Sequence, residues 1–238
     1  MDFWFVVFPY IAFSVFVVGG AYRYKVTAFK YSSLSSQFLE SRSLFWGSVP
    51  FHIGILGLFF GHLAAFLIPG AILAWNGEPV RLLVLEVSAL AFALCALWGI
   101  VLLYVRRISD ARVLAVSNRM DLLLEMVLLA QILIGITVAL NHRWGSSWFA
   151  STLSPYLWSL VALRPDAEAV RSLPPLVQIH IAGAFLILLM IPFTRLVHFL
   201  VAPLHYIGRP YQRVMWNWDK RRVRDGNNGW SVTRPKNT

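Results

Sequence analysis

The sequence predicts an all-α integral membrane protein with five transmembrane helices, and three observations carry that reading. Of 238 residues, 58% are apolar and only 13% charged, whereas soluble domains carry about one-quarter charged residues. The charges are missing from five stretches, each able to supply about 20 residues of helix, enough for roughly 30 Å of hydrocarbon. Buried helices of a soluble protein are usually shorter and keep a polar face. The single cysteine, Cys95, excludes an internal disulfide and a thiol-built metal cage.

Taken in order, residues 3–22 are free of charge and are followed by Arg23, Lys25 and Lys30. With no basic segment before it, this run reads as a retained first helix, not a cleaved leader. Residues 43–77 are uncharged; Pro50 and Pro69 mark plausible ends, giving a second helix over 49–69. The third, 82–105, carries only Glu86, and the fourth, 122–141, only Glu125. The fifth runs over 176–202, with Arg195 inside it.

Assigned to alternating sides, the loops and tail place sixteen Lys and Arg on one face and four on the other. The positive-inside rule then puts the N-terminus outside and the C-terminal tail in the cytoplasm. The net charge of +10 therefore reads as membrane orientation, not as a nucleic-acid surface. The chain divides into a membrane domain over 1–208 and a basic tail over 209–238. Trp216, Trp218 and Trp230 favour a docking arm for a cytoplasmic partner over a tail that only hugs anionic headgroups.

Four of the six histidines fall within the helices: His52 and His62 on the second, His180 and His198 on the fifth. Ionisable groups inside a membrane are costly and should face partners. His52 and His62 are about 15 Å apart along a helix and within about 80° of one face; His180 and His198 are five whole turns apart, about 27 Å. Because the two helices run antiparallel, His62 should meet His180 near the outer surface and His52 should meet His198 near the cytoplasm. Two such pairs suggest two bis-histidine haems b, since neutral imidazole is a good axial ligand to iron. The unequal spacings call for tilt or a kink at Pro192.

Gly54, Gly57 and Gly61 on the second helix, with Gly183 on the fifth, would let a macrocycle approach the backbone; close helix packing is the competing reason for small residues. Arg195, three residues before His198, suits a haem propionate or the cytoplasmic headgroups. His142 and His205 read as interfacial residues.

The strings FHIGILGLFFGHL at 51–63, IHIAGAF at 179–185 and PFTRLVHFLVAP at 192–203 resemble the cytochrome b (gamma) subunit of membrane-bound respiratory nitrate reductase. The similarity extends from PYIA at 9–12 to HYIGRPYQ at 205–212. It implies a subunit of the inner membrane with two haems b, the outer held by His62 and His180 and the inner by His52 and His198. It also implies oxidation of menaquinol or ubiquinol near the outer haem, and electron delivery to an iron–sulfur (beta) subunit that feeds a molybdenum catalytic (alpha) subunit. The family's lysine at the quinol site corresponds to Arg81 here, which can donate a hydrogen bond but cannot lose its proton near neutral pH. Glu86 is an alternative proton acceptor, or simply an interfacial carboxylate.

Three other readings compete. A cytochrome b serving a sulfur-cycle or heterodisulfide-type oxidoreductase would share the haem frame. A transporter would use the histidines as proton relays and calls for inverted repeats and broken helices, which the sequence does not display. A structural anchor would tolerate leucine at every intramembrane histidine.

Overall fold

The computed structural model describes residues 3–26 and 39–201; the tail expected over 209–238, its three tryptophans and His205 lie outside them. The helices are α1 (Phe8–Val26, entered through a π-helical turn Phe3–Val7), α2 (Arg42–Leu67), α3 (Pro69–Asn76), α4 (Pro79–Ser109), α5 (Ala111–Ala115), α6 (Arg119–Asn141), α7 (Gly145–Trp148), α8 (Ser154–Val161), α9 (Glu168–Arg171) and α10 (Pro175–Met190). Five segments are long and apolar enough to span a membrane: Phe3–Val26, Arg42–Leu67, Pro79–Ser109, Arg119–Asn141 and Pro175–Phe193. The chain is a multi-pass membrane protein, and its five spans fall where the uncharged runs place them.

The most extensive helix contact joins α2 and α4. A Cβ at Gly54 would run into the Ala96 amide and Phe92 carbonyl of α4, and one at Gly99 into the Phe51 amide and Gly47 carbonyl of α2. Glycine on both sides lets the two backbones approach, which is how membrane helices associate when lipid is as apolar as their side chains. Around this contact Phe51, Ala96, Ile100, Leu124, Leu128, Ile132 and Met190 form a buried core shared by α2, α4, α6 and α10.

Two helix ends differ from expectation. Pro50 does not start α2 but lies inside it. The helix begins at Arg42, where the Glu40 carboxylate accepts from the amides of Ser43 (2.7 Å) and Leu44 (3.1 Å). Capping fixes the start well before the proline, whose lack of one N–H is tolerated within a long apolar helix. The fifth span is not one helix over 176–202. It is α-helical only to Met190, tightens into a 3₁₀ turn over Ile191–Phe193, becomes extended at Thr194 (φ −122°, ψ 176°) and re-enters 3₁₀ geometry over Arg195–Val201. Pro192 cannot continue the amide ladder. The Thr194 hydroxyl donates back to the Met190 carbonyl (3.0 Å), and Arg23 of α1 donates to the carbonyls of Pro192 and Thr194, each at 2.7 Å.

At the opposite end, residues 142–175 are not a plain connection but fold as α7, a π-helical turn, α8 and α9. Tyr156 donates to the Phe5 carbonyl (2.8 Å), Tyr10 to the Leu160 carbonyl (3.1 Å), Ser154 to the Ala65 carbonyl (2.8 Å) and Trp158 to the Phe66 carbonyl (3.0 Å). Three of these bonds serve carbonyls at the ends of α2 and of the first span, and Tyr10 ties the first span back to α8, so the segment caps that end of the bundle.

Basic side chains gather at the other end. Arg106, buried near the end of α4, donates to the Glu40 carboxylate (2.7 Å) and to the Glu40 carbonyl (2.8 Å). The capping bond from Ser43 and then the Arg106 guanidinium hold the Glu40 carboxyl at about 2, below its ordinary 4.5. A depressed carboxyl stabilises the fold fully above its unfolded value and loses that contribution as pH falls through its folded one. Thermal unfolding of the detergent-solubilised protein should therefore become acid-sensitive as pH falls from about 4.5 towards 2, and Glu40→Gln should flatten this limb while lowering stability at neutral pH.

Candidate functional site

His52 and His62 lie on α2 and His180 on α10, while His198 lies on the 3₁₀ segment beyond the break. The break changes the geometry expected for the fifth span. His180 to Met190 covers ten residues, as His52 to His62 does, or about 15 Å of helix. Beyond Met190 the chain turns, and His198 arrives beside His52 with ring centroids 6.1 Å apart and planes at 71°. The span therefore departs from the uninterrupted five-turn stripe, and the kink foreseen at Pro192 is present. At the capped end of the bundle Phe149 stands edge-on to His62 at 5.3 Å.

Three of the four imidazoles share a hydrogen-bonding pattern. Nδ1 of His52 lies 2.7 Å from the Ser48 carbonyl, Nδ1 of His62 2.7 Å from the Leu58 carbonyl and Nδ1 of His198 2.7 Å from the Arg195 carbonyl. A ring N–H directed at a carbonyl fixes the tautomer that leaves Nε2 as a lone-pair donor, the arrangement found behind metal-ligating histidines. Nδ1 of His180 is buried without a hydrogen-bond partner, so the fourth ring is oriented by packing. Gly135 of α6 faces it, a Cβ there standing 2.9 Å from Cε1, and Gln131 donates to the His180 carbonyl (2.8 Å).

The donor set fits a haem better than a bare ion. Among the described residues no group of three or more His, Cys, Asp or Glu gathers as an ion site. His52 and His198, with ring centroids 6.1 Å apart, would hold a group that brings most of its own ligands and would supply one-electron chemistry there. His52 and His62 are exposed on an apolar helix, where lipid offers no partner and a macrocycle would cover them.

The neighbouring residues divide. Gly61 has open space where a Cβ would point, as clearance for a macrocycle requires. Gly54 and Gly57 instead face α4, Gly57 against the Phe92 ring, and Gly183 faces Gln131; packing against neighbouring helices accounts for their size. Arg195 pairs with Asp121 of α6 (2.9 Å) and donates to the Val116 carbonyl (2.9 Å), an acidic partner that sequence reading did not provide. Arg107 donates to both oxygens of Glu125, each at 2.9 Å, and to Ser117 (2.7 Å).

Arg81 opens α4 with its guanidinium 5.5 Å from the Trp75 ring centre. Glu86 accepts from the Ser146 amide (2.9 Å) and hydroxyl (2.6 Å), which ties α4 to α7. His142 ends α6, in keeping with an interfacial position.

Five apolar spans, with the His52 ring edge-on to His198 at 6.1 Å, define a multi-pass membrane protein that brings imidazoles from distant parts of the chain together. A family model described as nitrate reductase gamma subunit matches residues 1–217, and the chain belongs to that family. It is 33% identical over 208 residues to the nitrate reductase gamma chain of Bacillus subtilis (strain 168), covering 86% of this chain and 93% of that one. It is 34% identical over 217 residues to the respiratory nitrate reductase 2 gamma chain of Escherichia coli (strain K12), covering 89% and 95%. A nitrate reductase-like protein of Mycobacterium tuberculosis, NarX, is 33% identical over 217 residues, 88% of this chain and 33% of that longer one. Membership gives the chain the role of a non-catalytic electron-transfer component of a nitrate reductase complex.

The Glu86 carboxylate anchors the cap of the bundle through Ser146. Replacing it by alanine removes two hydrogen bonds to a charged acceptor, worth about 1.5–3 kcal/mol each at most. Glu86→Ala should lower the thermal unfolding midpoint and open residues 142–153 to limited proteolysis; an unchanged digestion pattern would show that Glu86 does not hold the loop.

Proposed function

We propose that this chain is the dihaem cytochrome b subunit of a respiratory nitrate reductase, oxidising quinol near the outer membrane face and passing electrons inward to a cytoplasmic iron–sulfur subunit. The observation that supports it most is the shared orientation of His52, His62 and His198, each with Nδ1 on a local carbonyl. His62 and His180 hold the outer haem, His52 and His198 the inner. A bound haem b supplies reversible one-electron chemistry at its iron. The chain's own work is to fix ligand tautomers, keep water and stray oxidants away with apolar spans, and hold the two pairs at different depths.

The basic end, with Arg23, Arg106, Arg107 and Arg195, is cytoplasmic, and the N-terminus lies outside. The end capped by residues 142–175 then faces outward, and quinol reaches the outer pair from the bilayer. Arg81 can donate to a quinone carbonyl while its charge stays fixed. Glu86, engaged with Ser146, serves the cap in preference to accepting a quinol proton. Protons from quinol leave outside while electrons cross inward. Moving each charge against the potential stores about 2.3 kcal/mol per 100 mV. The partners are the iron–sulfur (beta) subunit and, through it, the molybdenum (alpha) subunit where nitrate is reduced, with the tail over 209–238 as a docking arm.

A reduced-minus-oxidised visible spectrum of membranes containing the complex should show a b-type signal equivalent to two haems per chain. Replacing His62 or His180 by alanine should remove one haem and abolish quinol oxidation, and replacing His52 or His198 should remove the other. Absence of the signal from the unaltered complex, or full spectra and activity in the variants, would refute the assignment.

A further inference from the structure

We propose that Arg23 and Asp121 clamp the break in the fifth span and thereby hold His198 against His52, which makes them positioning residues for the inner haem. The inference rests on the haem assignment above and concerns residues to which that assignment gives no part.

A helix that stops inside a membrane leaves carbonyls without amide partners, and in hydrocarbon each must be satisfied by the protein. At this break the Arg23 guanidinium donates to the carbonyls of Pro192 and Thr194, each at 2.7 Å. The first span comes close enough for this because Gly19 lies opposite the proline: a Cβ there would stand 3.0 Å from Cβ of Pro192. Arg23 thus fixes the bend from one side.

Asp121 fixes it from the other. Its carboxylate is 2% exposed and accepts from Arg195 (2.9 Å) and from the Asn118 amide (3.0 Å), with Arg107 at 3.6 Å. Asp121 also donates its amide to the Asn118 side chain in a capping box that starts α6, so the acceptor is held in place before Arg195 reaches it. Arg195 carries the restraint to the ligand: its side chain is tied to Asp121, and its carbonyl lies 2.7 Å from Nδ1 of His198.

The clamp is needed at one level only. His52, His62 and His180 stand on continuous α-helix, where the backbone fixes their direction. His198 stands on a 3₁₀ segment, whose hydrogen bonds are poorer. Loss of the clamp should therefore disturb the inner haem and leave the outer one intact, which separates positioning from general stability.

The test is potentiometric titration of the b-type absorbance in membranes holding the whole complex, with His52→Ala used to identify the inner component. Arg23→Met and Asp121→Asn should shift the inner midpoint or deplete that component while the outer one keeps its midpoint and amount. Arg23→Lys and Asp121→Glu, which keep the charge, should restore part of the inner signal. Unchanged inner and outer components in Arg23→Met and Asp121→Asn would overturn the clamp, and so would parallel loss of both haems, which would mark a folding role. If the unaltered complex lacks two b-type components, the underlying haem assignment fails instead.

Discussion

A chain that leaves the α-helix within a hydrocarbon layer must find hydrogen bonds for the backbone groups it frees, and the basic half of this molecule is organised by that requirement. The bend at Pro192 and Thr194 brings His198 beside His52 and interrupts the α-helical ladder around the Pro192 and Thr194 carbonyls. Arg23 from the first span serves those carbonyls, and Asp121 from the fourth holds the segment that follows. The first, second and fourth spans therefore all bear on the segment that carries His198. A straight fifth helix would satisfy its own backbone but carry that imidazole about 12 Å too far along the axis, judged by the rise per residue.

The two ends of the bundle solve different problems. At the basic end, cations face carboxylates at short range: Arg106 with Glu40, Arg107 with Glu125, Arg195 with Asp121. Charged groups this close to hydrocarbon are retained only where each meets an opposite charge or a carbonyl. At the other end the charges are balanced in sign, and hydroxyls and an indole from residues 142–175 donate to carbonyls at the ends of the spans. Ion pairs thus gather at the end where His52 meets His198, while His62 lies beside Phe149 of the cap.

The five spans were legible in the sequence because the cost of burying charge in lipid leaves long uncharged runs, and no local propensity competes with that signal. The histidines were legible for the same reason. Local chemistry at the helix ends was harder to read: Pro50 looks like a start, yet Glu40, ten residues earlier, supplies the cap. Pro192 announced a kink, but not that the chain would become extended two residues later. Gly54 and Gly57 read first as clearance for a macrocycle, with helix packing as the competing reason, whereas both face α4, against its backbone and the Phe92 ring. Asp121 was missed because Arg195 is 74 residues away in sequence, and pairings at that range leave no local trace. Gly135 and Gln131, single small or polar residues in a leucine-rich span, carried the weaker signal that α6 also touches the outer pair.

The central claim is that His52 and His198 would together hold one haem, their ring planes far from coplanar. Low-temperature electron paramagnetic resonance of oxidised membranes reads that arrangement directly. Imidazole planes near the 71° found here should give a strongly anisotropic low-spin ferric signal that disappears in His198→Ala. A rhombic signal of the kind given by parallel imidazoles, or a low-spin spectrum unaffected by loss of His198, would contradict the account.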